Sequence, residues 1–257
     1  MKHPLRTLLL AVCCGLAAAC TQRQERLKLM SYNIRNGIGI DNIQDIGRIA
    51  RVILREAPDL VALQELDSAT LRVDGRYIPG ELGRMTGMHA TFGRAIGFAG
   101  GSYGIGLLSR TEPLAVRSIP LPGREEARVL LMAEFPDYTV CITHLSLTPE
   151  DRLASLPIIR EATDTCRKPV LLAGDFNTGN AAAVLAGLGG GFRILSDTTR
   201  MTFPSDNPAV RIDYILGRGL PTSATVAESA VDHTATASDH CPLWVTLVWK
   251  QGKQPGK

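Results

Sequence analysis

Aromatic residues are scarce in this chain: Phe, Tyr and Trp make up 5% of 257 residues. Proteins that hold single-stranded nucleic acid without sequence preference stack bases on such rings, so the composition argues against that class. A strong charge of one sign is also missing. The 28 Lys and Arg face 25 Asp and Glu, a formal net charge of +3, which gives no general basic field for the phosphate backbone. Cysteines with zinc-ligand spacing are absent. So are internal repeats, low-complexity linkers and any apolar run long enough for an ordinary membrane span. The longest such run, LLLAVCCGLAAA (8–19), is too short. With 45% hydrophobic and 21% charged residues the composition is that of an ordinary globular protein, and one large domain is the simplest organisation.

The first segment is set apart from the fold. MKHPLR supplies a basic start, the apolar run follows, and Ala17, Ala18 and Ala19 lead to Cys20. This pattern reads as a secretory signal peptide over 1–19. The Cys directly after small residues resembles a bacterial lipobox, in which the signal is cleaved before the Cys and the Cys is lipidated. Ala17 occupies the place where an aliphatic residue is usual, with Leu16 one place earlier. The expectation is an exported protein of the bacterial cell envelope, tethered through Cys20 to a membrane on its periplasmic or surface side. A plain cleaved signal with an incidental Cys is the alternative. Loss of Lys2 and Arg6 lowers Lys+Arg from 28 to 26 against 25 acids, so the mature chain carries +1. Cys141, Cys166 and Cys241 remain; an odd number cannot all pair, and Cys141 and Cys241 lie in apolar runs where a free thiol packs as a small hydrophobe.

The remaining chain alternates strand and helix patterns. Strands are expected at 27–34, 59–66, 103–110, 127–135, 138–145, 170–174, 211–216 and 240–249. Phe135-Pro136-Asp137-Tyr138 reads as a hairpin turn. Ile43, Ile46, Ile49, Ala50, Ile53 and Leu54 share one face of a helix over 43–57 that Pro58 ends. Shorter helices are expected at 80–86 and 181–187. Thr148, Pro149, Glu150 and Asp151 open another that runs to about Cys166, with Thr148 as N-cap. The tail from 250 to 257 reads as disordered. Tight turns join some strands and helices join others, which makes a mixed α/β chain with some antiparallel pairing.

Polar residues gather at the ends of these apolar runs. Asn33, Glu65, His144, and Asp175 with Asn177 end four early strands; Asp213 and Asp239-His240 precede two late ones. If the late strands run antiparallel to the early ones, all of these residues reach one rim. In an extended run Asp175 and Asn177 would point to the same side. VLLAGDFNTG (170–179) could end in a plain Asp/Asn/Gly turn, but the other strand ends favour a reaction site. Glu65, Asp175, Asp213 and Asp239 together could not stay ionised without a cation or raised pKa values. Oxygen ligands favour Mg²⁺, Mn²⁺ or Ca²⁺, and two histidines beside them suit phosphoryl chemistry.

The motifs MSYNIRNG, LQE, YGIGLLSR, THL, GDFN, RIDYIL and SDH occur in this order over roughly 27–249. The chain thereby resembles the endonuclease/exonuclease/phosphatase superfamily, which includes deoxyribonuclease I, apurinic endonucleases, neutral sphingomyelinases and inositol-polyphosphate 5-phosphatases. LQE alone is a weak signal; GDFN with SDH is a strong one. The resemblance implies a four-layered α/β sandwich, two mixed β-sheets packed face to face with helices outside. It implies a divalent-metal phosphoesterase, Mg²⁺ or Mn²⁺ first, with Glu65 as main metal ligand helped by Asn33 and Asp239. Asp175 would position or deprotonate the attacking water, with Asn177 beside it. His144 and His240 would contact the scissile phosphate, and Asp213 would orient His144 or hold its charge. Where the family often has Asn after Tyr-Gly, this chain has Ile105. Tyr103 is a weaker candidate that reads nearly as well as a core aromatic; Arg128 matches a frequent family Arg near the site, with a solvated strand residue as the default reading.

Three classes compete. The first is a hydrolase, most simply a monomer, that cuts phosphoesters of small molecules, lipid head groups or nucleic acid. The second is a non-catalytic binding lipoprotein on the same scaffold, which leaves the intact set of Glu65, Asp175, Asp239 and His240 without a purpose. The third, a structural envelope protein, explains none of the rim residues.

Overall fold

The computed structural model describes residues 24–250. The signal peptide, Cys20 and the tail from 251 onward lie outside the described residues.

Twelve strands form two six-stranded sheets. The first holds β1 (Gln24–Asn33), β2 (Leu60–Ser68), β3 (His89–Phe98), β4 (Gly101–Ser109), β11 (Thr225–Val231) and β12 (Leu243–Lys250), in the order β11-β12-β1-β2-β4-β3. The second holds β5 (Ala115–Leu121), β6 (Arg128–Glu134), β7 (Thr139–His144), β8 (Val170–Asp175), β9 (Arg193–Ile194) and β10 (Asp213–Arg218), in the order β5-β6-β7-β8-β10-β9. Period-2 alternation turns Leu27, Leu29, Leu60, Ala62, Ile105 and Leu107 of one sheet onto Leu131, Ile142, Leu171, Ala173 and Ile215 of the other, a dry inter-sheet core. Ile105 belongs to that core rather than to the rim. The outer faces are covered by helices. α1 (Ile46–Glu56) and α2 (Ile78–Thr86) pack on Met30, Tyr32, Val61 and Leu63. α3 (Pro149–Asp164) and α4 (Ala181–Leu188) pack on Leu130, Leu172 and Leu216. The result is the expected four-layered sandwich of two mixed sheets with helices outside. No helix among the described residues is long and apolar enough to cross a membrane.

Local chemistry accounts for the elements. α1 buries Ile46, Ile49, Ala50 and Ile53. Its predicted stripe is narrower than expected: Ile43 lies before the helix and Leu54 faces out, at 60% and 52% exposure. The Asp45 carboxylate caps the helix by accepting from Gly47 N–H, and left-handed Ala57 ends it before Pro58. α3 opens at Thr148 as expected, but the Thr148 hydroxyl donates to Glu125 Oε2 at 3.1 Å instead of capping its own helix. Phe135 N–H donates to Tyr138 O at 2.9 Å, closing the expected hairpin. β12 runs through Lys250, which pairs with Gln24. Among the described residues, Cys141, Cys166 and Cys241 form no disulfide.

Candidate active site

Strand register builds the site. β1 runs parallel to β2 with Asn33 opposite Gln64, and β7 runs parallel to β8 with His144 opposite Asp175. β10 is antiparallel to β8 with Asp213 opposite Asp175. β12 is antiparallel to β1, so the Ser238-Asp239-His240 segment that precedes it arrives at the same end. The reversal of strand direction expected from the sequence therefore delivers early strand ends and late strand starts to one rim.

The eight predicted residues form one connected group there. Asn33 Nδ2 donates to Glu65 Oε1 at 2.9 Å and to Asp175 Oδ2 at 3.1 Å, and lies 3.4 Å from His240 Nε2. His240 Nδ1 is 2.9 Å from Asp213 Oδ2, and its Nε2 is 3.7 Å from Asp175 Oδ2. His144 Nε2 approaches the same Asp175 oxygen at 3.6 Å. Ser238 Oγ donates to Asn33 O at 2.7 Å and so ties the Asp239-His240 segment to β1. Asp239 faces Arg35, with Oδ2 3.5 Å from Nε.

Three placements differ from expectation. Asp213 orients His240 and not His144, because β10 enters the rim on the side where the segment before β12 arrives. Asp175 and Asn177 do not share an extended run. The strand stops at Asp175, whose Oδ1 accepts from Asn177 N–H at 2.8 Å, while left-handed Asn177 turns its amide onto Leu145 O at 2.8 Å. GDFN is thus a turn and a site at once. β2 continues past Glu65 to Ser68, with Glu65 at a register shift and φ of +59°. Left-handed backbone in a residue other than Gly concentrates at functional sites, and here it aims the carboxylate toward Asn33. Gly174 is required for a related reason: a Cβ there would lie 2.0 Å from Thr143 O.

The electrostatics are set by burial. Burial and the adjacent Asp213 charge raise the Asp175 pKa to about 7, against the pull of His240 and the hydrogen bonds from Asn177 and Asn33. Burial disfavours charge on His240, yet the Asp213 charge and hydrogen bond, with Asp175 and Asp239, raise it to about 10. His144 goes the other way: burial, then the nearby Arg128 and His240 charges, hold it well below the usual range. One imidazole is therefore charged and the other neutral. Asp175, Asp213 and His240 each place one ligand atom within 4.8 Å of the others, but His240 and Asp213 already use Nδ1 and Oδ2 on each other. The oxygens of Glu65 and Asp239 suit a hard divalent ion; Asn33 points Nδ2 at Glu65 while its Oδ1 accepts from Arg35 N–H at 3.1 Å, so it would join the ligands by turning its amide over. The buried Asp213 Oδ1 has no hydrogen-bond partner among the described residues, which leaves one acceptor open at the rim.

Two residues set aside on sequence grounds stand at the wall of this site. Arg128 is buried, with a side chain only 6% exposed, and is not solvated. Tyr103 is buried beside it, and the two line a cleft with Ala95, Glu126 and His144. The sequence signals for Arg128 are a charge at the head of an apolar strand and its match to a frequent Arg of the family it resembles.

Comparison with known proteins agrees with this geometry. The family model described as "Endonuclease/Exonuclease/phosphatase family" matches residues 30–240. No curated protein matches the chain. Among solved structures, an endonuclease/exonuclease/phosphatase from Beutenbergia cavernae is 23% identical, with a TM-score of 0.70 over 90% of this chain and 73% of that one. A mannosyl-6-phosphatase from Bacteroides thetaiotaomicron is 19% identical, TM-score 0.68, over 86% and 99%. D. rerio TDP2 complexed with single-strand DNA product is 22% identical, TM-score 0.65, over 86% and 98%. At these identities the structures establish a shared fold, while the family model spans most of the chain and every rim residue. On that match, and on the rim it spans, the chain belongs to the endonuclease/exonuclease/phosphatase family, whose members are hydrolases acting on phosphoester bonds.

Proposed function

We propose that the rim hydrolyses phosphoester bonds with the aid of a divalent cation, Mg²⁺ or Mn²⁺ first and Ca²⁺ as a further fit. The observation that carries this reading is the buried chain Asp213–His240–Asp175 joined through Asn33 to Glu65. Glu65, Asp239 and Asn33 would hold the ion. When bound, it supplies a Lewis acid that offsets charge on the phosphate oxygens. Asp175, at a pKa near neutrality, accepts a proton from the attacking water. His240, kept charged by Asp213, donates to a phosphate oxygen. His144 offers a neutral N–H to another. Asn177 fixes the Asp175 carboxylate in its turn.

Small-molecule or lipid head-group phosphoesters are the favoured substrates, because aromatics are few and the mature charge is nearly neutral. Nucleic acid is the alternative, in line with the DNA product on TDP2; a phosphomonoesterase has its own counterpart in the mannosyl-6-phosphatase. The protein is further read as an exported, monomeric lipoprotein anchored through Cys20. A binding lipoprotein without activity is the reading of another class. The test is hydrolysis by the mature protein of DNA, RNA, sphingomyelin, inositol phosphates and an aryl phosphodiester, each with Mg²⁺ and with chelator. Mg²⁺-dependent turnover supports the enzyme, and the best substrate sets its class. A folded protein with neither turnover nor metal binding supports the binding lipoprotein.

A further inference from the structure

Arg128 carries two carboxylates that are held very differently. Glu125 lies 3.4 Å from Nη2 and Glu126 lies 3.0 Å from Nη1. Glu125 is fixed by other donors: Ser146 Oγ at 2.7 Å, Leu147 N–H at 2.7 Å and Thr148 Oγ1 at 3.1 Å. Glu126 makes no hydrogen bond among the described residues, and Arg128 is its one ion-pair partner there. Its surroundings are unfavourable to charge: burial, then Glu65 and Glu125, raise its pKa, while Arg128 and Arg72 oppose them. Arg128 itself is set in place from behind, since a Cβ on Gly123 would lie 3.0 Å from its Cγ. Its buried Nε has no hydrogen-bond partner among the described residues, so the guanidinium is not a saturated structural clasp. The cleft that Arg128 and Glu126 share is also lined by His144 and Tyr103.

A buried guanidinium with one bolted and one loose carboxylate is built to exchange the loose one. We propose that Glu126 is a placeholder on Arg128, occupying the place of the substrate's phosphate group and leaving when that group binds. The inference deepens the phosphoesterase reading and rests on it. Guanidinium and phosphate match as planar fork and multi-oxygen acceptor. Neutral His144 cannot supply the charge on this wall, which leaves Arg128 to do so. Glu125 keeps the guanidinium aligned while Glu126 swings out.

The experiment compares wild type with Glu126→Gln, Arg128→Lys and Arg128→Met, using an aryl phosphodiester for kinetics and inorganic phosphate for binding. Phosphate binding is followed by the phosphorus NMR line width of inorganic phosphate in the presence of chelator, a signal that every variant shares and that does not depend on the metal. Removing the competing charge in Glu126→Gln lowers KM about two- to fivefold with kcat little changed, the size of a partly exposed ion pair. It also tightens inorganic phosphate by the same factor. Arg128→Met weakens phosphate at least about tenfold, as expected for a charge-assisted hydrogen bond, and Arg128→Lys recovers part of the loss. Melting curves verify that each variant folds. Wild-type turnover with KM and phosphate affinity unmoved in Glu126→Gln overturns the placeholder alone. Absence of turnover in wild type overturns the phosphoesterase reading and the placeholder with it.

Discussion

At the scale of single residues, the site divides its charges by burial and pairing. His240 and Asp213 behave as one unit, because the Nδ1–Oδ2 contact at 2.9 Å fixes both the ring orientation and its charge. On the proposed function, Asp213→Asn and His240→Ala each lower kcat by roughly 10²- to 10⁴-fold, the range of a lost acid–base partner. The double variant is no worse than the worse single one, because residues acting as a unit are not additive. Single-turnover rates of the three variants give the answer; losses that multiply would show that the two act separately. Most of this residue set was legible in advance, since Asn33, Glu65, Asp175, Asp213 and His240 each break an apolar run at its end. The partner of Asp213 was not legible. Which histidine meets it depends on the side from which the segment before β12 enters, and no local pattern encodes that.

Among the elements, the same physics decides what a sequence reveals. The four strands without a sequence expectation, β3, β5, β9 and β11, are the four edges of the two sheets. The central strands are buried on both faces and read as apolar runs. β5 and β11 are exposed along most of their length, so they need no hydrophobic alternation and show none. β9 is two residues long. Burial also explains the error at Arg128, where a charge at a strand start was read as solvated although two carboxylates meet it inside. The loop between β7 and α3 is held by Glu125 in place of a helix cap. Burial costs the Glu125 carboxylate, but bonds from Ser146, Leu147 and Thr148 lower its pKa to about 2. A depressed folded pKa contributes stability above the ordinary carboxylate value, and this is lost as pH falls toward the folded one. The stability of the protein therefore declines between about pH 4.5 and 2 in part through Glu125. In Glu125→Gln that part of the decline is absent and stability at pH 7 is lower. Denaturant midpoints at pH 7, 4.5 and 3 measure it, and parallel acid profiles for the two proteins would remove Glu125 from the account.

At the scale of the whole molecule, both ends of the described chain leave from the end of the sandwich opposite the rim, where Gln24 pairs with Lys250. From Gln24 to Asn33, β1 spans about 30 Å. The four residue steps from Cys20 to Gln24 reach no more than about 14 Å. If Cys20 carries the proposed acyl anchor, the proposed catalytic rim would face away from the membrane that holds it, which would favour soluble phosphoesters over lipids of the same surface. Leu114, beside the β6–β7 hairpin, and Leu147, beside the site, are equally exposed at 64%. In acylated protein on phosphatidylethanolamine–phosphatidylglycerol vesicles, a fluorophore at Leu114→Cys is quenched by surface-bound quencher and one at Leu147→Cys is not. Acylated protein with the opposite result contradicts this orientation, and mass spectrometry without acyl chains on Cys20 removes the anchor.

The most direct test of the central claim is turnover of an aryl phosphodiester by wild type and Asp175→Ala, each titrated with Mg²⁺ after chelator treatment. Wild-type turnover is expected to vanish with chelator and return with Mg²⁺, while the variant stays folded but inactive at every Mg²⁺ concentration. Turnover that survives chelator, or survives loss of the Asp175 carboxylate, would contradict the claim.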